Sequence, residues 1–233
     1  MLNTEAKCKL LRFSSKDENA ELYIKASEGL GLDGILVTFI VAGREFTARI
    51  PVMGVHNIRN AAYAVLGSLA LFPELSAENI RKGLEEFSAP LLRSRLRLLR
   101  NSSKVIDESY ECSAPSLLAW IGVAEDLRRD GARVALILGL VAEQAAVDAA
   151  FVDELRRRIL KLKPDFLIVL GNVLTRAFER LPESENLVVF AAETNIAAAH
   201  IATKLNFDIL LVKGSQQLEL QHTVEILIER LGE

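Results

Sequence analysis

Residues 133–138 read Arg-Val-Ala-Leu-Ile-Leu, and residues 208–212 read Asp-Ile-Leu-Leu-Val. Both are short, continuous apolar runs, without the alternation expected of a strand that has one face in water. Such runs are typical of strands in a parallel sheet that helices cover on both faces. Three more runs of this kind occur in the same half of the chain, at residues 104–107, 165–170 and 187–190.

Amphipathic stretches separate these runs. Their periodicity predicts helices over residues 114–129, 147–161, 173–180, 196–205 and 218–231. Because strand and helix alternate over about 130 residues, the pattern predicts an α/β fold, with a doubly wound, Rossmann-like domain and a mostly parallel sheet. We place this domain at residues 94–233.

The preceding residues, 1–93, follow a different pattern. Four strands are predicted at residues 9–13, 21–26, 34–41 and 44–50, and Ala42-Gly43 predicts an antiparallel hairpin between the last two. Two helices follow, one from His56 to about Phe72 and one after the predicted N-cap Ser76. Their predicted buried stripes are Ile58, Ala61, Ala62, Val65 and Leu69 in the first, and Ile80, Leu84 and Phe87 in the second.

This first unit, of antiparallel strands and two helices, offers little material for a core of its own. It is therefore interpreted as the C-terminal part of a larger domain. Its incomplete sheet is expected to have an edge that is either short and covered or paired with another chain. Residues 91–100, which place four arginines among leucines, are interpreted as the junction between the two domains.

Composition excludes several classes of protein. The chain has 233 residues, half of them hydrophobic, and a formal net charge of −3, which gives no reason to expect a nucleic-acid partner. Cys8 and Cys112 lack CxxC neighbours, which favours a reducing compartment and argues against a zinc site. We find no secretory signal and no apolar run near the roughly 20 residues of a membrane span, so we expect a soluble, cytoplasmic protein.

Candidate site residues follow the ends of the predicted parallel strands, where ligands bind in open α/β sheets. These ends read Asp107-Glu108-Ser109-Tyr110, Gly139-Leu140, Gly171-Asn172 and Lys213-Gly214-Ser215. Asp107 and Glu108 are expected to point to opposite faces, so their adjacency does not imply an acid–base pair. Lys213 with free backbone N–H groups at a helix start would form an anion site. Polar, glycine-containing loops are equally common in α/β proteins that bind nothing there.

A second candidate opens the first helix. Asn57 could cap that helix, and Asn60 lies one turn further along, where a carboxamide can recognise an adenine-like edge. Capping alone would also explain these residues. His200 and His222 are interpreted as structural. The sequence contains no G-x-x-x-x-G-K-[ST] or G-x-S-x-G motif, so it offers no phosphate loop or hydrolase elbow. Residues 29–34 read Gly-Leu-Gly-Leu-Asp-Gly and match G-x-G-x-x-G, but they connect two predicted strands and open no predicted helix, so they are not the dinucleotide fingerprint.

Taken in order, these clusters resemble the Mur ligases of peptidoglycan synthesis. The matches extend over nearly the whole chain: Gly54-x-His56-Asn57-x-x-Asn60-Ala61, Arg95-Leu96, Ile106-Asp107-Glu108-Ser109-Tyr110 with Ser116, Leu138-Gly139 with Glu143, and Leu211-Val212-Lys213-Gly214-Ser215. The resemblance covers only the end of the family's central ATPase domain and its Rossmann-like C-terminal domain. The family's UDP-substrate domain, P-loop, magnesium ligands and carbamylated lysine would lie upstream of this sequence.

The resemblance implies a reaction and roles for residues. In the family, ATP phosphorylates a substrate carboxylate and an incoming amine forms the amide. By analogy Asn57, Asn60, Arg95 and Glu108 would bind the nucleotide, and Ser109, Tyr110, Lys213, Gly214 and Ser215 would bind the amino acid or dipeptide. No catalytic residue or metal ligand is assigned in this chain. ATP and Mg²⁺ are expected only together with the upstream domain, which a preceding segment or a second chain would supply.

Four departures from the family pattern fall at expected ligand positions. Glu108 replaces an aspartate, residues 111–114 read Glu-Cys-Ser-Ala where relatives have Asn-Ala-Asn-Pro, Leu140 replaces an aspartate and Gln216 replaces an arginine. Two interpretations therefore stay open at this point: part of a ligase that is inactive alone, or a divergent non-catalytic module that binds a ligand or partner. A third, an unrelated sugar-nucleotide or dinucleotide binder, rests only on the α/β pattern.

Overall fold

The structure is a computed structural model that describes residues 10–90, 93–129, 131–140, 148–179 and 187–232, with the backbone alone at Arg129. The chain divides into two compact units, Met1–Ser88 and Ala89–Glu233. We call them the N-terminal unit and the C-terminal unit, and describe each by itself.

The N-terminal unit contains a four-stranded sheet in the order β1-β2-β3-β4. Its strands are β1 (Phe13–Ser14), β2 (Leu22–Gly29), β3 (Ile35–Val41) and β4 (Arg44–Ile50). The antiparallel pairings of β2 with β3 and of β3 with β4 agree with the prediction. The first pairing does not, because β1 is only two residues long and runs parallel to β2. The predicted start of that strand, Lys9, lies outside the described residues.

Along β3, buried and half-buried residues alternate, so that one face of this sheet is buried. Ile35, Val37, Phe39 and Val41 are buried, while the residues between them are half-buried. The hairpin that follows turns at Ala42 and Gly43, which have φ angles of 49° and 71°. Two consecutive positive φ values give the turn whose twist matches that of the flanking strands, so Ala42-Gly43 forms the predicted hairpin.

Two helices complete the N-terminal unit, α1 (Asn57–Leu71) and α2 (Ala77–Glu85). Ser76 caps α2 as predicted, with its Oγ accepting from the N–H of Asn79 at 3.1 Å. Asn57 is not a cap: it is the first helical residue of α1, after His56. The predicted stripes are buried except at Leu69 and Leu84, which are half-buried, and at Phe87, which lies beyond the end of α2 and is exposed.

The two edges of this sheet differ in length. One edge is β1, with two residues, and the other is β4, with seven residues, against which α2 packs. A short edge was one of the two expected solutions. Pairing of an edge with another chain stays a prediction.

The C-terminal unit has the predicted doubly wound α/β architecture. Its six-stranded sheet has the order β5-β6-β10-β7-β8-β9, and every pairing except that of β5 with β6 is parallel. The strands are β5 (Arg95–Leu98), β6 (Lys104–Glu108), β7 (Val134–Gly139), β8 (Leu167–Leu170), β9 (Val189–Ala191) and β10 (Ile209–Gly214). Every residue of β7, β8 and β10 is buried, which explains their continuous apolar sequences.

The segment interpreted as a domain junction contains a strand instead. Arg95–Leu98 forms β5, which adds an antiparallel edge to the parallel sheet. The Arg-Leu-Arg-Leu alternation is that of a half-buried strand, with the arginines half-buried and the leucines exposed. Because arginines occupy every second position, the two-residue period of a strand was not recognised in this segment.

Helices connect the parallel strands: α3 (Ala114–Arg129), α4 (Ala149–Leu162), α5 (Asn172–Phe178), α6 (Asn195–Ala202) and α7 (Leu220–Leu231). α6 and α7 pack together over one face, where Val212 and Ile168 share a cluster with Leu220 and Leu227. α3 packs against α4 and β7. The helix that was predicted from residue 218 begins two residues later, after a single 3-10 turn at Gln216–Leu218.

Two glycines allow the start of α7 to approach the sheet. A Cβ on Gly214 would lie 2.3 Å from Cδ1 of Leu220, and one on Gly139 would lie 2.6 Å from Cδ1 of Leu218. Gly214 and Gly139 are also cross-strand neighbours. The absence of side chains at both positions therefore lets the turn after β10 lie directly on the sheet.

Gly214→Ala is expected to lower the free energy of unfolding of the C-terminal unit by about 1–3 kcal/mol, because an overpacked contact forces its neighbours apart. Urea denaturation measures this change. The control is Gly67→Ala in α1, where a Cβ meets nothing within 4 Å. We expect it to raise the stability of the N-terminal unit by up to about 1 kcal/mol. Equal effects of the two substitutions would contradict the close approach at Gly214.

Candidate functional site

The register of the C-terminal sheet brings the predicted strand ends to one edge. Lys213 of β10 lies beside Glu108 of β6, Gly214 lies beside Gly139 of β7, and Gly139 lies beside Leu170 of β8. We call this edge, where β6, β10, β7 and β8 end, the carboxyl edge. It is the position at which open α/β sheets bind ligands.

Lys213 is fully buried at the carboxyl edge. Its Nζ donates a hydrogen bond of 2.7 Å to the backbone carbonyl of Glu111. Burial lowers the pKa of the Lys213 ammonium, and the neighbouring Cys112 and Glu108 oppose that shift. The lysine therefore holds the loop between β6 and α3 against the end of β10.

Glu108 is also buried, with 5% of its surface exposed. Its Oε2 accepts hydrogen bonds from the backbone N–H of Ser94 at 2.5 Å and from the Ser94 hydroxyl at 3.1 Å. Burial raises the pKa of Glu108, while Lys213, Ser94 and Arg93 act in the opposite direction. The carboxylate is thus tied to the residue that precedes β5.

Arg93 covers the outer side of this cluster. Its guanidinium stacks over the Tyr110 ring, 4.4 Å from the ring centre, and lies 3.4 Å from the Glu111 carboxylate and 4.0 Å from that of Glu108. No motif in the sequence marks Arg93, Ser94 or a structural role for Glu111. The only signal was the density of arginine in residues 91–100.

Asp107 points away from Glu108, as expected for adjacent residues of a strand. Its Oδ1 accepts from the N–H of Ser109 at 3.1 Å and from the Ser109 hydroxyl at 2.6 Å. Asp107 lies opposite Arg95 in the pairing of β5 with β6. Ser109 is fully buried, and both of these hydrogen bonds join it to Asp107, two residues earlier in the chain.

Arg95 and Arg97 project from β5 on the face that carries Asp107. Arg95 is half-buried, and its guanidinium makes no hydrogen bond or ion pair to any residue that the structure describes. Within the same described ranges, the Nε of Arg97 is buried and has no acceptor. These two side chains retain unused donor capacity, which is the property an anionic ligand requires.

The turn after β10 differs from the expected anion site. The N–H of Ser215 donates to the carbonyl of Gly139 at 3.0 Å, and α7 begins only at Leu220. The N–H groups of Leu218 and Glu219 are bonded to the carbonyls of Ser215 and Gln216. The 3-10 turn therefore bonds the N–H of Leu218, which an α-helix starting at Gln216 would leave free.

Asn57 and Asn60 form a pair at the start of α1. The Nδ2 of Asn60 donates to Oδ1 of Asn57 at 2.8 Å, and the Nδ2 of Asn57 donates to the carbonyl of Met53 at 2.9 Å. Both line a cavity of about 360 Å³ between α1, α2 and the end of β4. The other lining residues are mainly apolar: Ile50, Val52, Ala61, Ala64, Val65, Ser68, Leu75, Asn79, Ile80, Gly83, Leu84 and Phe87.

Other expectations concern metals, thiols and membranes. Burial raises the pKa of the Cys112 thiol to about 11, while Cys8 and Glu143 lie outside the described residues. In the described ranges, no group of three or more His, Cys, Asp or Glu side chains could hold a metal ion. None of the described helices has the length and apolarity that a bilayer crossing requires.

The buried Glu108 carboxyl is expected to make stability depend on pH. Its pKa in the folded chain lies above the ordinary value of 4.5, so the folded state holds the proton more tightly than the unfolded state. The contribution of Glu108 to the free energy of unfolding is therefore fully present below pH 4.5 and is lost as the pH rises through the raised pKa. Urea denaturation of the wild type and of Glu108→Gln measures this effect. As the pH rises across this window, the free energy of unfolding of the wild type should fall relative to that of Glu108→Gln.

The exposed Glu229 of α7 provides the matched control for that measurement. Glu229→Gln removes the same charge from a solvated position. For each variant, the free energy of unfolding is subtracted from that of the wild type at each pH. If this difference is as flat across the pH window for Glu108→Gln as it is for Glu229→Gln, the raised pKa of Glu108 is contradicted.

Comparisons with known proteins agree on one group. No protein-family model matches the chain. The UDP-N-acetylmuramoyl-tripeptide–D-alanyl-D-alanine ligase of Bacillus subtilis is 25% identical over 194 residues, which are 82% of this chain and 42% of that protein. The chain therefore spans less than half the length of this relative.

Solved structures show the same fold. MurF from Acinetobacter baumannii superposes with a TM-score of 0.73 at 23% identity, covering 93% of this chain and 46% of that one. The MurF ligase of Thermotoga maritima, solved in complex with ADP, gives a TM-score of 0.67 at 17% identity, covering 93% and 48%. The chain is thus similar in sequence to a Mur ligase and shares the fold of the corresponding part of solved Mur ligases.

Proposed function

We propose that this chain is the C-terminal portion of an ATP-dependent, amide-forming ligase of peptidoglycan precursor synthesis. In this reaction a carboxylate is activated as an acyl phosphate, and the amine of an amino acid or dipeptide displaces the phosphate to form the amide. The chain contributes part of the nucleotide site and the site of the amino component. It is not active alone, because the sequence has no phosphate loop. Use of ATP assigns the protein to the cytoplasm.

One observation carries the nucleotide assignment. The guanidinium of Arg95 is half-buried at a sheet edge and makes no hydrogen bond or ion pair to any described residue, although Asp107 lies opposite it in the ladder. A half-buried cation without a partner is costly unless a ligand supplies the missing negative charge. An arginine offers paired donors that match a phosphate or a ribose hydroxyl. Arg95 therefore binds the nucleotide through its phosphates or ribose.

The carboxamides of Asn57 and Asn60, in the N-terminal unit, are suited by themselves to binding a heteroaromatic base. Their mutual hydrogen bond orients the two side chains and leaves the Asn60 carbonyl oxygen to accept from an exocyclic amine. The adjacent cavity is mainly apolar, which suits a flat heteroaromatic ring. We assign Glu108 to the nucleotide site with Arg95, because it binds Ser94, the residue that precedes Arg95.

The amino component lies against the loop between β6 and α3 and the end of β10. Tyr110 is exposed over nearly half of its surface, and Ser109, Lys213, Gly214 and Ser215 surround the base of this loop. The lysine is held by the Glu111 carbonyl, so it fixes the backbone that the substrate contacts. By analogy with the Mur ligases, we assign Mg²⁺ to the P-loop segment, which would lie upstream of this sequence.

A second candidate is a non-catalytic module of the same fold that binds a partner or ligand. The contacts of Glu111 with two cations of the carboxyl edge favour this candidate. The carboxylate of Glu111 pairs with Arg93, and its backbone carbonyl accepts a hydrogen bond from Lys213. A site whose cations are satisfied internally has less to offer a substrate carboxylate. The two candidates differ in whether the chain completes a ligase.

Nucleotide binding tests the first candidate. Calorimetry with ADP should detect binding to the wild type, and Asn60→Ala and Arg95→Ala should each weaken it by roughly tenfold, since each removes a hydrogen bond to the ligand. Arg44→Ala, at an exposed position of β4, is the control and should leave the affinity unchanged. Absence of binding at millimolar ADP, or binding that neither substitution weakens, would overturn the nucleotide assignment.

Complementation tests the ligase assignment itself. The chain is mixed with the N-terminal and P-loop segments of the Bacillus subtilis relative, and phosphate release is followed with ATP, UDP-N-acetylmuramoyl-tripeptide and D-alanyl-D-alanine. We expect release only when both parts are present. The corresponding C-terminal fragment of the relative is the control. If that fragment restores activity and this chain does not, the non-catalytic module is the better assignment.

A further inference from the structure

Ser94 has a backbone conformation that a serine seldom adopts. Its φ angle is 53°, in the left-handed region that costs an L-amino acid free energy. Ser94 directly precedes β5, so its conformation sets the direction in which the strand begins. Such a conformation persists only where surrounding contacts hold it.

The contacts that hold Ser94 come from Glu108. Arg95 pairs with Asp107, so Ser94 stands opposite Glu108, one position beyond the last pair of the ladder. There the Glu108 carboxylate takes the place of a backbone acceptor and receives both the N–H and the hydroxyl of Ser94. We call these two hydrogen bonds the Ser94 anchor.

The Glu108 carboxylate is itself fixed from several sides. Lys213 faces it from β10, and Arg93 lies 4.0 Å away on the segment before β5. Glu111 and Cys112 complete the charged and titratable groups of the cluster, on the loop before α3. With only 5% of its surface exposed, Glu108 has little access to a ligand while it holds Ser94.

The Ser94 anchor bears directly on Arg95, the next residue. A shift of one residue in the pairing of β5 with β6 would move Arg95 to the opposite face of the sheet. β5 has only four residues and lies at the edge, so its own ladder specifies the register weakly. The Ser94 anchor fixes the residue before β5 against β6 and so specifies the register of the strand.

We propose that Glu108 is a positioning residue, which holds Ser94 and thereby fixes the register of β5 and presents the Arg95 guanidinium to the nucleotide. This inference rests on the proposed nucleotide site for its functional consequence. It differs from the role that the family resemblance implies, because Glu108 acts on the nucleotide through Arg95 and makes no contact with the ribose.

Amide hydrogen exchange followed by NMR tests the anchor without any nucleotide. Glu108→Ala should accelerate exchange at Ser94 and along β5 by at least roughly tenfold, because hydrogen bonds to a buried carboxylate are lost. Glu108→Gln keeps an acceptor oxygen at the same reach and should restore exchange to near the wild-type rate. Glu108→Asp keeps the charge but shortens the side chain, and should resemble Glu108→Ala.

Serine substitutions keep the proposal testable if the Glu108 variants fail to fold. Ser94→Ala removes the hydroxyl bond and leaves every charge in place, so it should accelerate exchange in β5. Its matched control is Ser102→Ala, at a serine with a φ angle of 66° in the turn after β5, whose N–H donates to the carbonyl of Leu99. Equal exchange in the two serine variants, or failure of Glu108→Gln to restore protection, would overturn the proposal.

The same variants are then titrated with ADP. The proposal predicts that affinity follows the exchange data, with Glu108→Gln close to the wild type and Glu108→Ala and Glu108→Asp weakened by roughly tenfold. Weakened affinity with unchanged exchange in β5 would overturn positioning in favour of direct contact with the ligand. Failure of the wild type to bind ADP would overturn the nucleotide site, and the exchange data alone would then decide the Ser94 anchor.

Discussion

The carboxyl edge depends on a buried pair of opposite charges, Glu108 and Lys213, on neighbouring strands of the parallel sheet. Removing both charges from water costs free energy that their attraction alone does not fully offset. The remaining polar atoms are therefore bonded to backbone, Lys213 to the Glu111 carbonyl and Glu108 to the Ser94 N–H. Each charge thus fixes a segment that the sheet ladder does not reach.

Two segments of the carboxyl edge outside the strands are held in this way. The loop before α3 is held by Lys213, and the start of β5 is held by Glu108. Arg93 links the two segments through Tyr110 and Glu111. In contrast, Arg95 is left without a partner among the described residues. A site that satisfies its structural charges and leaves donors of Arg95 and Arg97 unused among the described residues is suited to binding an anion.

Much of the C-terminal fold could be predicted because its buried parallel strands are continuous apolar runs and its helices keep a 3.6-residue period. β5 was missed because its alternation of arginine and leucine resembles a charged linker, and only pairing with β6 makes it a strand. The parallel pairing of β1 was missed because a two-residue strand carries no periodicity. The strand-end candidates were found by position, since topology brings them to one edge.

The Ser94 anchor and the stacking of Arg93 on Tyr110 could not be read from the sequence. Both join residues 14 to 17 positions apart across the β5–β6 hairpin, and neither has a motif. The turn after β10 could not be predicted for a related reason: three residues form a 3-10 turn in which the N–H groups of Leu218 and Glu219 are bonded to the carbonyls of Ser215 and Gln216. Side-chain contacts at turns depend on exact backbone direction, which residue types alone do not specify.

We expect this chain to carry residues of a ligase nucleotide site. A titration of isotopically labelled protein with ADP, followed by heteronuclear NMR, tests this most directly. The predicted result is a set of shifts at the side-chain amides of Asn57 and Asn60 and at the guanidinium of Arg95. Shifts confined to other residues, or no shifts at millimolar ADP, would contradict it.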